Sequence, residues 1–229
     1  MDENRAPRGL YGRKKGHPLK PRQAHLMESL LPKLALDPES PRVERPGSLF
    51  PHDPDVVRLE IGFGGGEHLV HQARTNPDIG IVGCEPFLNG MAKALSAIDD
   101  HGLGNIRLFG DDALHLLSWL PDASLDRVDL LYPDPWPKRR HWKRRFVSAE
   151  NLSALARLIR PGGEFRFASD IGHYVNWTLR HCRDHPAFDW QAETADDWRK
   201  PWPGWPGTRY EQKAVAAGRV PAYLTFVRV

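Results

Sequence analysis

Five units of predicted strand and helix follow one another along this chain, and their order is the feature that most restricts its fold. Each unit opens with a short apolar run and continues with a helical pattern. The predicted strands are 56–61, 79–84, 105–110, 125–132 and 164–169. The predicted helices are 67–75, 88–100, 113–119, 144–159 and 171–184. Because parallel neighbours need a crossover, usually helical, the sequence predicts an α/β fold with a doubly wound, mostly parallel sheet.

The C-terminal part of the chain departs from this alternation. Residues 188–192 and 223–229 predict two strands around a loop rich in tryptophan and proline, without a full helix between them. An antiparallel hairpin at the edge of the sheet is the simplest arrangement of such a pair.

The N-terminal part divides into an arm and the start of the domain. Residues 1–22 carry seven basic side chains against Asp2 and Glu3 and show no periodicity. We expect a flexible basic arm there, followed by a single domain over residues 23–229 that opens with a helix at 23–36.

Composition excludes several classes of protein. No apolar run approaches the roughly 18 residues that a membrane-spanning helix needs, and residues 1–16 lack the apolar stretch of a signal peptide. Cys84 and Cys182 form no CxxC pair, and the eleven histidines form no HExxH motif. We therefore expect a cytoplasmic protein with no disulfide, no metal and no membrane partner; its oligomeric state, monomer or homodimer, stays open.

A second basic run lies at Lys138–Arg145, with six cations and no acid. Such runs are usually solvated faces, and a basic arm is often a mere tail. Two of them in one small chain favour a polyanionic partner, because each cation that neutralises a phosphate releases counterions.

Glycines and acids mark the ends of the predicted strands. Gly62, Gly64 and Gly66 follow the first strand in a G-x-G-x-G spacing, which does not fit the G-x-G-x-x-G of a dinucleotide site. Glu60 precedes them, a placement that suits a cationic ligand better than a diphosphate. In a doubly wound sheet, ligands bind beyond the carboxyl ends of the strands.

Two further acids extend this set. Glu85, at the end of the second strand, is placed to accept hydrogen bonds from ribose hydroxyls, and Asp112, after the third, is placed to reach an adenine amino group. Each alone is better explained as a helix cap. The ordered set favours a site for a sulfonium nucleoside, S-adenosyl-L-methionine.

The fourth strand leads into Tyr132-Pro-Asp-Pro-Trp-Pro-Lys138. Asp134 lies between two prolines, so its backbone is stiff and its carboxylate is held in place. The neutral alternative is a proline-rich helix entry. The basic run that follows includes Trp142, and cations beside a ring that can stack on a base are common in RNA-binding proteins.

These segments, with FRFASD and TRYEQ near the C-terminus, resemble the bacterial tRNA (guanine-N7)-methyltransferase family over about residues 50–229. The resemblance implies a Rossmann-like methyltransferase fold, and transfer of a methyl group from S-adenosyl-L-methionine to N7 of a guanine in the variable loop of tRNA.

The resemblance also implies roles by position. Asp134 would be the catalytic residue, by positioning and charge and not by proton abstraction. The cofactor residues would be Glu60, Gly62, Gly64, Glu85, Asp112 and Asp134. The substrate residues would be Lys138, Asp170, Thr208, Arg209, Tyr210 and Glu211. The RNA-binding residues would be Arg140, His141, Trp142, Lys143, Arg144 and Arg145.

Two alternatives remain from the sequence. A methyltransferase of the same fold that acts on another RNA base or on a non-RNA substrate would share the cofactor half, but would not need the basic run. A non-catalytic RNA-binding protein would share the basic runs, but would not need the ordered acids.

Overall fold

The strands form one seven-stranded sheet in the order β3-β2-β1-β4-β5-β7-β6 in a computed structural model, which describes residues 14–229. The strands are β1 (Val57–Ile61), β2 (Gly80–Cys84), β3 (Ile106–Phe109), β4 (Leu125–Leu131), β5 (Ile159–Ser169), β6 (Phe188–Trp190) and β7 (Ala222–Arg228). Strands β1 to β5 are parallel, whereas β7 lies between β5 and β6 and is antiparallel to both. This confirms the predicted parallel sheet with an antiparallel C-terminal edge. The helices Asp196–Arg199 and Arg209–Ala216 lie between the last two strands, where the sequence predicted no full helix.

The helices alternate with the parallel strands, as predicted. They are α1 (Pro21–Ser29), α2 (Leu31–Leu34), α3 (Glu67–Thr75), α4 (Leu88–His101), α5 (Ala113–Trp119), α6 (Ala149–Leu158), α7 (Gly172–Arg183), α8 (Asp196–Arg199) and α9 (Arg209–Ala216). None of the described helices is long and apolar enough to cross a membrane.

Each face of the sheet has its own apolar core. On one face, α1, α3 and α4 pack on alternate residues of β2 and β3. On the other, α5, α6 and α7 pack on β1, β4, β5 and β7. Side chains on a strand alternate between faces, so Ile81 belongs to the first core and Val82 to the second.

On the first face, the side chains contributed by β4 and β5 include charged groups. Arg127 Nε donates to Asp129 Oδ2 (2.9 Å), and Arg127 Nη2 donates to Gln72 of α3 (2.8 Å). A loop containing Trp202 and Trp205 covers this region, and Arg166 lies over the Trp202 ring. The loop thereby takes the place that a helix occupies elsewhere on this face.

Two predicted helices differ from the observed ones. The helix predicted at 23–36 is divided at Leu30, close to Pro32, whose ring is incompatible with a continuous helix interior. The helix predicted at 144–159 begins only at Ala149, where the Ser148 hydroxyl accepts from Asn151 N (3.2 Å) as an N-cap. The preceding residues, Arg139–Arg144, form a 3₁₀ helix.

The predicted basic arm is described only in part, because residues 1–13 lie outside the described residues. Lys14 O accepts from Leu88 N (2.9 Å), and Gly16 N donates to the Asn89 side chain (2.7 Å). Residues 14–16 therefore contact the first turn of α4. The boundary between arm and domain at residue 22 stays a prediction.

A close backbone approach joins α4 to the loop after β1. A Cβ atom placed on Gly90 of α4 would lie 2.3 Å from Gly64 O, a distance that no real Cβ contact tolerates. Gly90 therefore sets how closely the helix meets the glycine loop. A Cβ on Gly104, by contrast, would meet open space.

We predict that Gly90→Ala lowers the free energy of unfolding by about 1–3 kcal/mol, the usual effect of overpacking a tight contact. Gly104→Ala is the matched control and should change stability by less than about 1 kcal/mol. Urea unfolding of both variants measures the difference, and equal midpoints would show that helix and loop move apart at little cost.

Candidate active site

The carboxyl ends of the parallel strands lie along one edge of the sheet. At β1 the order of the strands reverses its direction. Strand β1 pairs with β2 on one side and with β4 on the other. A crevice at such a switch point is the expected ligand site of a doubly wound sheet. A cleft of about 460 Å³ opens there, which we call the strand-end cleft.

The strand-end cleft brings together many of the residues singled out in the sequence. Those that line it are Gly62, Gly64, Glu85, Asp112, Asp134, Lys143, Arg144, Arg145 and Tyr210. The predicted residues outside its lining are Glu60, Lys138, Arg140, His141, Trp142, Asp170, Thr208, Arg209 and Glu211.

The glycine loop forms the floor of the cleft. Gly62 and Gly64 have φ of 75° and 58°, in the left-handed region that glycine adopts without strain. Gly62 N donates to Cys84 O (2.7 Å), which ties the loop to the end of β2. A Cβ on Gly62 would point into open space, so the loop leaves room for a ligand at this point.

Glu85 fixes the shape of this loop. Its Oε2 accepts from Gly64 N (2.7 Å), and its Oε1 accepts from Phe87 N (2.9 Å). Burial raises the pKa of this carboxyl, while the two backbone hydrogen bonds act in the opposite direction. The carboxylate is thus preorganised, and each oxygen retains a lone pair that a ligand hydroxyl can use.

Asp112 combines the two roles that the sequence left open. Its Oδ1 accepts from Leu114 N (3.0 Å) and caps α5, and the residue also lines the strand-end cleft. A capping carboxylate keeps further acceptor capacity for a ligand donor.

Glu60 is directed away from the cleft lining. It is buried, and its Oε2 lies 2.8 Å from His68 Nδ1 of α3. Burial disfavours a charged imidazole, but the charge and hydrogen bond of Glu60 outweigh this and raise the pKa of His68. The His68 ring also contacts Trp205 (centroids 5.0 Å apart). Glu60 therefore supports the loop that covers the sheet, and its direct cofactor contact stays a prediction.

The segment 132–138, the proline loop, holds Asp134 at the opposite wall of the cleft. Tyr132 and Trp136 have φ of 50° and 41°, a strained conformation for residues with a side chain. Tyr132 N donates to Ala168 O (2.8 Å) at the end of β5. Asp134 is exposed to solvent, and partial desolvation of its carboxyl raises its pKa above the ordinary aspartate value.

Arg145 supports this loop from behind. Only 3% of the residue is exposed, and its guanidinium lies 4.9 Å from the ring centroids of Trp142, Tyr174 and Trp177. Its Nε donates to Pro135 O (2.9 Å). Arg145 therefore joins the proline loop to α7, although the basic pattern predicted that it would bind RNA.

The other residues of the basic run are more accessible. Lys138, Arg139, Arg140 and Lys143 are exposed, and Arg144 lies over the Trp136 ring (4.9 Å). These side chains form a cationic rim next to Asp134, and they can contact a phosphate backbone without any change in the fold.

The TRYEQ segment begins α9, where the sequence left open a turn. Thr208 and Glu211 form a capping box, in which the Thr208 hydroxyl accepts from Glu211 N (3.1 Å). The Glu211 carboxylate also accepts from Trp205 Nε1 (2.7 Å) and from the Tyr223 hydroxyl. Its oxygens are thus used within the protein, while Tyr210 lines the cleft and is 47% exposed.

The two remaining predicted substrate residues are Arg209, the first residue of α9, and Asp170, which directly follows β5. Asp170 accepts from Arg219 Nε, and the Arg209 guanidinium lies 5.7 Å from the Tyr210 ring centroid. Neither lines the cleft. Within residues 14–229, no group of three or more His, Cys, Asp or Glu side chains could hold a metal ion.

Comparison with known proteins agrees with this geometry. Residues 54–223 match a protein family described as "Putative methyltransferase". The chain is 58% identical, over 231 aligned residues, to the tRNA (guanine-N7)-methyltransferase of Brucella melitensis, with 100% of this chain and 99% of that protein covered. The corresponding protein of Agrobacterium fabrum is 56% identical over 225 residues, covering 98% and 97% of the two chains.

This chain belongs to the tRNA (guanine-N7)-methyltransferase family. Among solved structures, the 16S rRNA methyltransferase KamB superposes with a TM-score of 0.55 at 18% identity, covering 77% of this chain and 89% of the other. That likeness supports the Rossmann-like methyltransferase fold, as predicted from the order of strands and helices.

The sequence reasoning did not identify the apolar walls of the cleft. They are formed by Phe87, Leu114, Tyr132, Trp136 and Phe146. Each lies within two residues of a residue singled out for its charge. Proximity to the strand-end acids and to the basic run could therefore have identified these apolar walls. A mostly apolar lining with a few placed polar groups is typical of small-molecule sites.

We predict that Glu85→Ala weakens binding of S-adenosylmethionine by about 1–3 kcal/mol, because ligand hydroxyls and Gly64 N lose their acceptor. Glu44→Ala, at an exposed glutamate of the connector before β1, is the control. Isothermal calorimetry measures both affinities. Equal affinities in the two variants would show that Glu85 only holds the glycine loop and does not contact the ligand.

We also predict that Arg145→Ala lowers the free energy of unfolding by about 2–4 kcal/mol, because three ring contacts and a buried hydrogen bond are lost together. Arg140→Ala, in the same run but exposed, should change it by less than about 0.5 kcal/mol. Urea unfolding distinguishes the two, and equal stabilities would contradict a supporting role for Arg145.

Proposed function

We propose that this protein transfers a methyl group from S-adenosylmethionine to N7 of a guanine in tRNA, in the variable loop as the family resemblance implies. The observation that carries the proposal is the convergence of three features on one cleft. The glycine loop and Glu85 form the floor of the cleft, Asp134 lies on its wall, and the cationic rim begins where the proline loop ends.

The described residues fit the cofactor. The open space at Gly62, the two preorganised oxygens of Glu85 and the capping carboxylate of Asp112 offer acceptors to hydroxyl and amino groups. Gly64 N donates directly to the Glu85 carboxylate (2.7 Å), and Glu85 and Asp112 both line this part of the cleft. Such a site suits a ligand that carries positive charge and no phosphate. Bound there, S-adenosylmethionine supplies an electrophilic methyl group.

The chemistry at guanine N7 requires little from a general base. N7 has a lone pair in the plane of the ring and carries no proton, so its attack leaves no proton to remove. What the protein must provide is alignment and a negative charge close to the ring as positive charge develops there. Asp134, held between Pro133 and Pro135 by a strained loop, is suited to both tasks.

Binding of tRNA is assigned to the cationic rim of the cleft. Lys138, Arg139, Arg140 and Lys143 contribute charge, whereas Arg145 contributes by holding the proline loop in place. A target base that is stacked in the folded tRNA has to leave the stack to reach Asp134. The proposed location is the cytoplasm, where tRNA is modified, and the proposed assembly is a monomer or homodimer.

Two other functions are compatible with parts of this arrangement. A methyltransferase of the same fold with another substrate would use the glycine loop and Glu85 but not the cationic rim. A non-catalytic RNA-binding protein would use the rim but not the cleft. The presence of both in one cleft favours methylation of RNA.

The deciding experiment incubates the purified protein with unmodified tRNA and methyl-labelled S-adenosylmethionine, followed by analysis of the nucleosides. We expect label in 7-methylguanosine. Label in another nucleoside only, or in protein only, would refute the proposed reaction and would favour one of the alternative substrates.

We predict that Asp134→Asn lowers single-turnover methylation by on the order of 100-fold, the scale of removing one preorganised electrostatic partner, while tRNA affinity is retained. In the native protein the rate should be flat from neutral to mildly basic pH. It should fall on acidification at a pH above that of an ordinary aspartate, because the raised pKa of Asp134 makes the carboxylate take up its proton sooner.

A solvent isotope effect separates charge stabilisation from proton removal. Because N7 gives up no proton, we expect a ratio near unity for the single-turnover rate in H₂O and D₂O. A large ratio would indicate proton transfer by Asp134, and near-native turnover in the Asn variant would place the catalytic carboxylate elsewhere.

A further inference from the structure

A second concave surface of about 500 Å³ lies on the other side of Arg145, which lines both it and the strand-end cleft. Its walls come from the basic run and from one side of α7. We call it the aromatic groove; the residues that matter here are Trp142, Asn176, Trp177, Arg180, His181 and Asp184. None of the residues on α7 lines the strand-end cleft.

Aromatic rings form a continuous strip along the groove. The rings of Trp142 and Trp177 meet edge to face (centroids 5.5 Å apart), and Trp177 stacks on His181 (4.2 Å, 27° between planes). The indole N–H groups are directed inward, because Trp142 Nε1 donates to Pro137 O and Trp177 Nε1 donates to Val147 O. Arg145 and His181 already pack against Trp177, so the ring surface offered to a nucleobase is that of Trp142 and His181 at the ends of the strip.

Polar groups at the rim complement this strip. Asn176 and Arg180 are exposed on the same side of α7, and the side-chain amide can donate to and accept from a base edge. Among the described residues, Asp184 is the acid that lines the groove, and its Oδ1 pairs with Arg183 Nη2 (2.8 Å). The groove thus presents net positive charge beside aromatic surface.

We propose that the aromatic groove binds a second nucleotide of the tRNA, with its base stacked on the Trp142–Trp177–His181 strip and its phosphate next to Arg180. The inference rests on the proposed function, since it assumes that tRNA is bound at the adjacent cleft. Because Arg145 is the shared wall, the nucleotide in the groove lies close to the one presented to Asp134, and the groove helps to hold the displaced strand.

The lining distinguishes this ligand from an apolar peptide. Among the groove residues Ala149 supplies the aliphatic surface, and the rest is aromatic or polar. A helix or strand of a protein partner would require larger aliphatic contacts, whereas ring faces beside a guanidinium match a base and its phosphate.

The test compares Arg180→Ala with Arg74→Ala, an equal loss of charge at an exposed residue of α3 that lines neither surface. For Arg180→Ala we expect KM for tRNA to rise roughly fivefold and the salt slope of tRNA binding to fall by about 1. KM for S-adenosylmethionine should stay unchanged, because the cofactor site is intact. Arg74→Ala should resemble the wild type in all three measurements.

Photochemical crosslinking locates the nucleotide directly. Wild-type protein and unmodified tRNA are irradiated, digested and analysed by mass spectrometry, and we expect a nucleotide attached to Trp142 or within residues 177–181. Equal KM values for the two variants, or crosslinks confined to other regions, would overturn the proposal.

The same experiments keep the inference separate from the proposed function. A wild type that methylates tRNA while both variants behave alike refutes the aromatic groove alone. A wild type that neither binds nor methylates tRNA refutes both. If Arg180→Ala alters self-association in sedimentation but not KM for tRNA, the groove is a protein contact and the proposal fails.

Discussion

The central position of β1 among the parallel strands determines where the functional side chains lie. With β2 on one side and β4 on the other, the loops after these strands meet over a single edge. Parallel pairing makes this unavoidable, since every carboxyl end faces the same way. The Glu85–Gly64 hydrogen bond then joins the loop after β1 to the end of β2, and so fixes the position of one relative to the other at the floor of the cleft.

The opposite wall depends on a different kind of interaction. The proline loop is held by Arg145, whose guanidinium is enclosed by three aromatic rings. Such burial is uncommon for a residue in a run of six basic side chains. A guanidinium tolerates this because it is weakly hydrated and stacks on aromatic faces. One arginine thus separates the strand-end cleft from the aromatic groove, while its neighbours in sequence face solvent.

Much of the fold could be read from sequence because its signals are local. Alternating apolar runs gave the strands, and α3 and α5 have the predicted bounds. The location of the strand-end acids could be predicted from topology. A residue at the carboxyl end of a parallel strand lies at the ligand-binding edge of the sheet, in whichever direction its side chain points. The Ser148 cap was visible in the sequence as well, but the helical periodicity around it masked the boundary.

The site was less predictable where long-range contacts decide the direction of a side chain. Arg145 is surrounded by rings from α7, about 30 residues away, and nothing in a basic run distinguishes a buried cation from an exposed one. Glu211 and Glu60 are similar cases. Their charges suggested ligand contacts, but each carboxylate meets a partner inside the protein that only the folded chain brings near.

The strain in the proline loop has a consequence for when activity can arise during synthesis. Left-handed backbone at Tyr132 and Trp136 costs on the order of 1–3 kcal/mol each, and it persists only where surrounding contacts impose it. Those contacts come from later in the chain: Ala168 at the end of β5, and α7 through Arg145. A nascent chain that has emerged as far as residue 145 thus already contains the strand-end acids, yet its proline loop is free to relax. Methyl-transfer competence is therefore acquired late, once the second half of the sheet has formed.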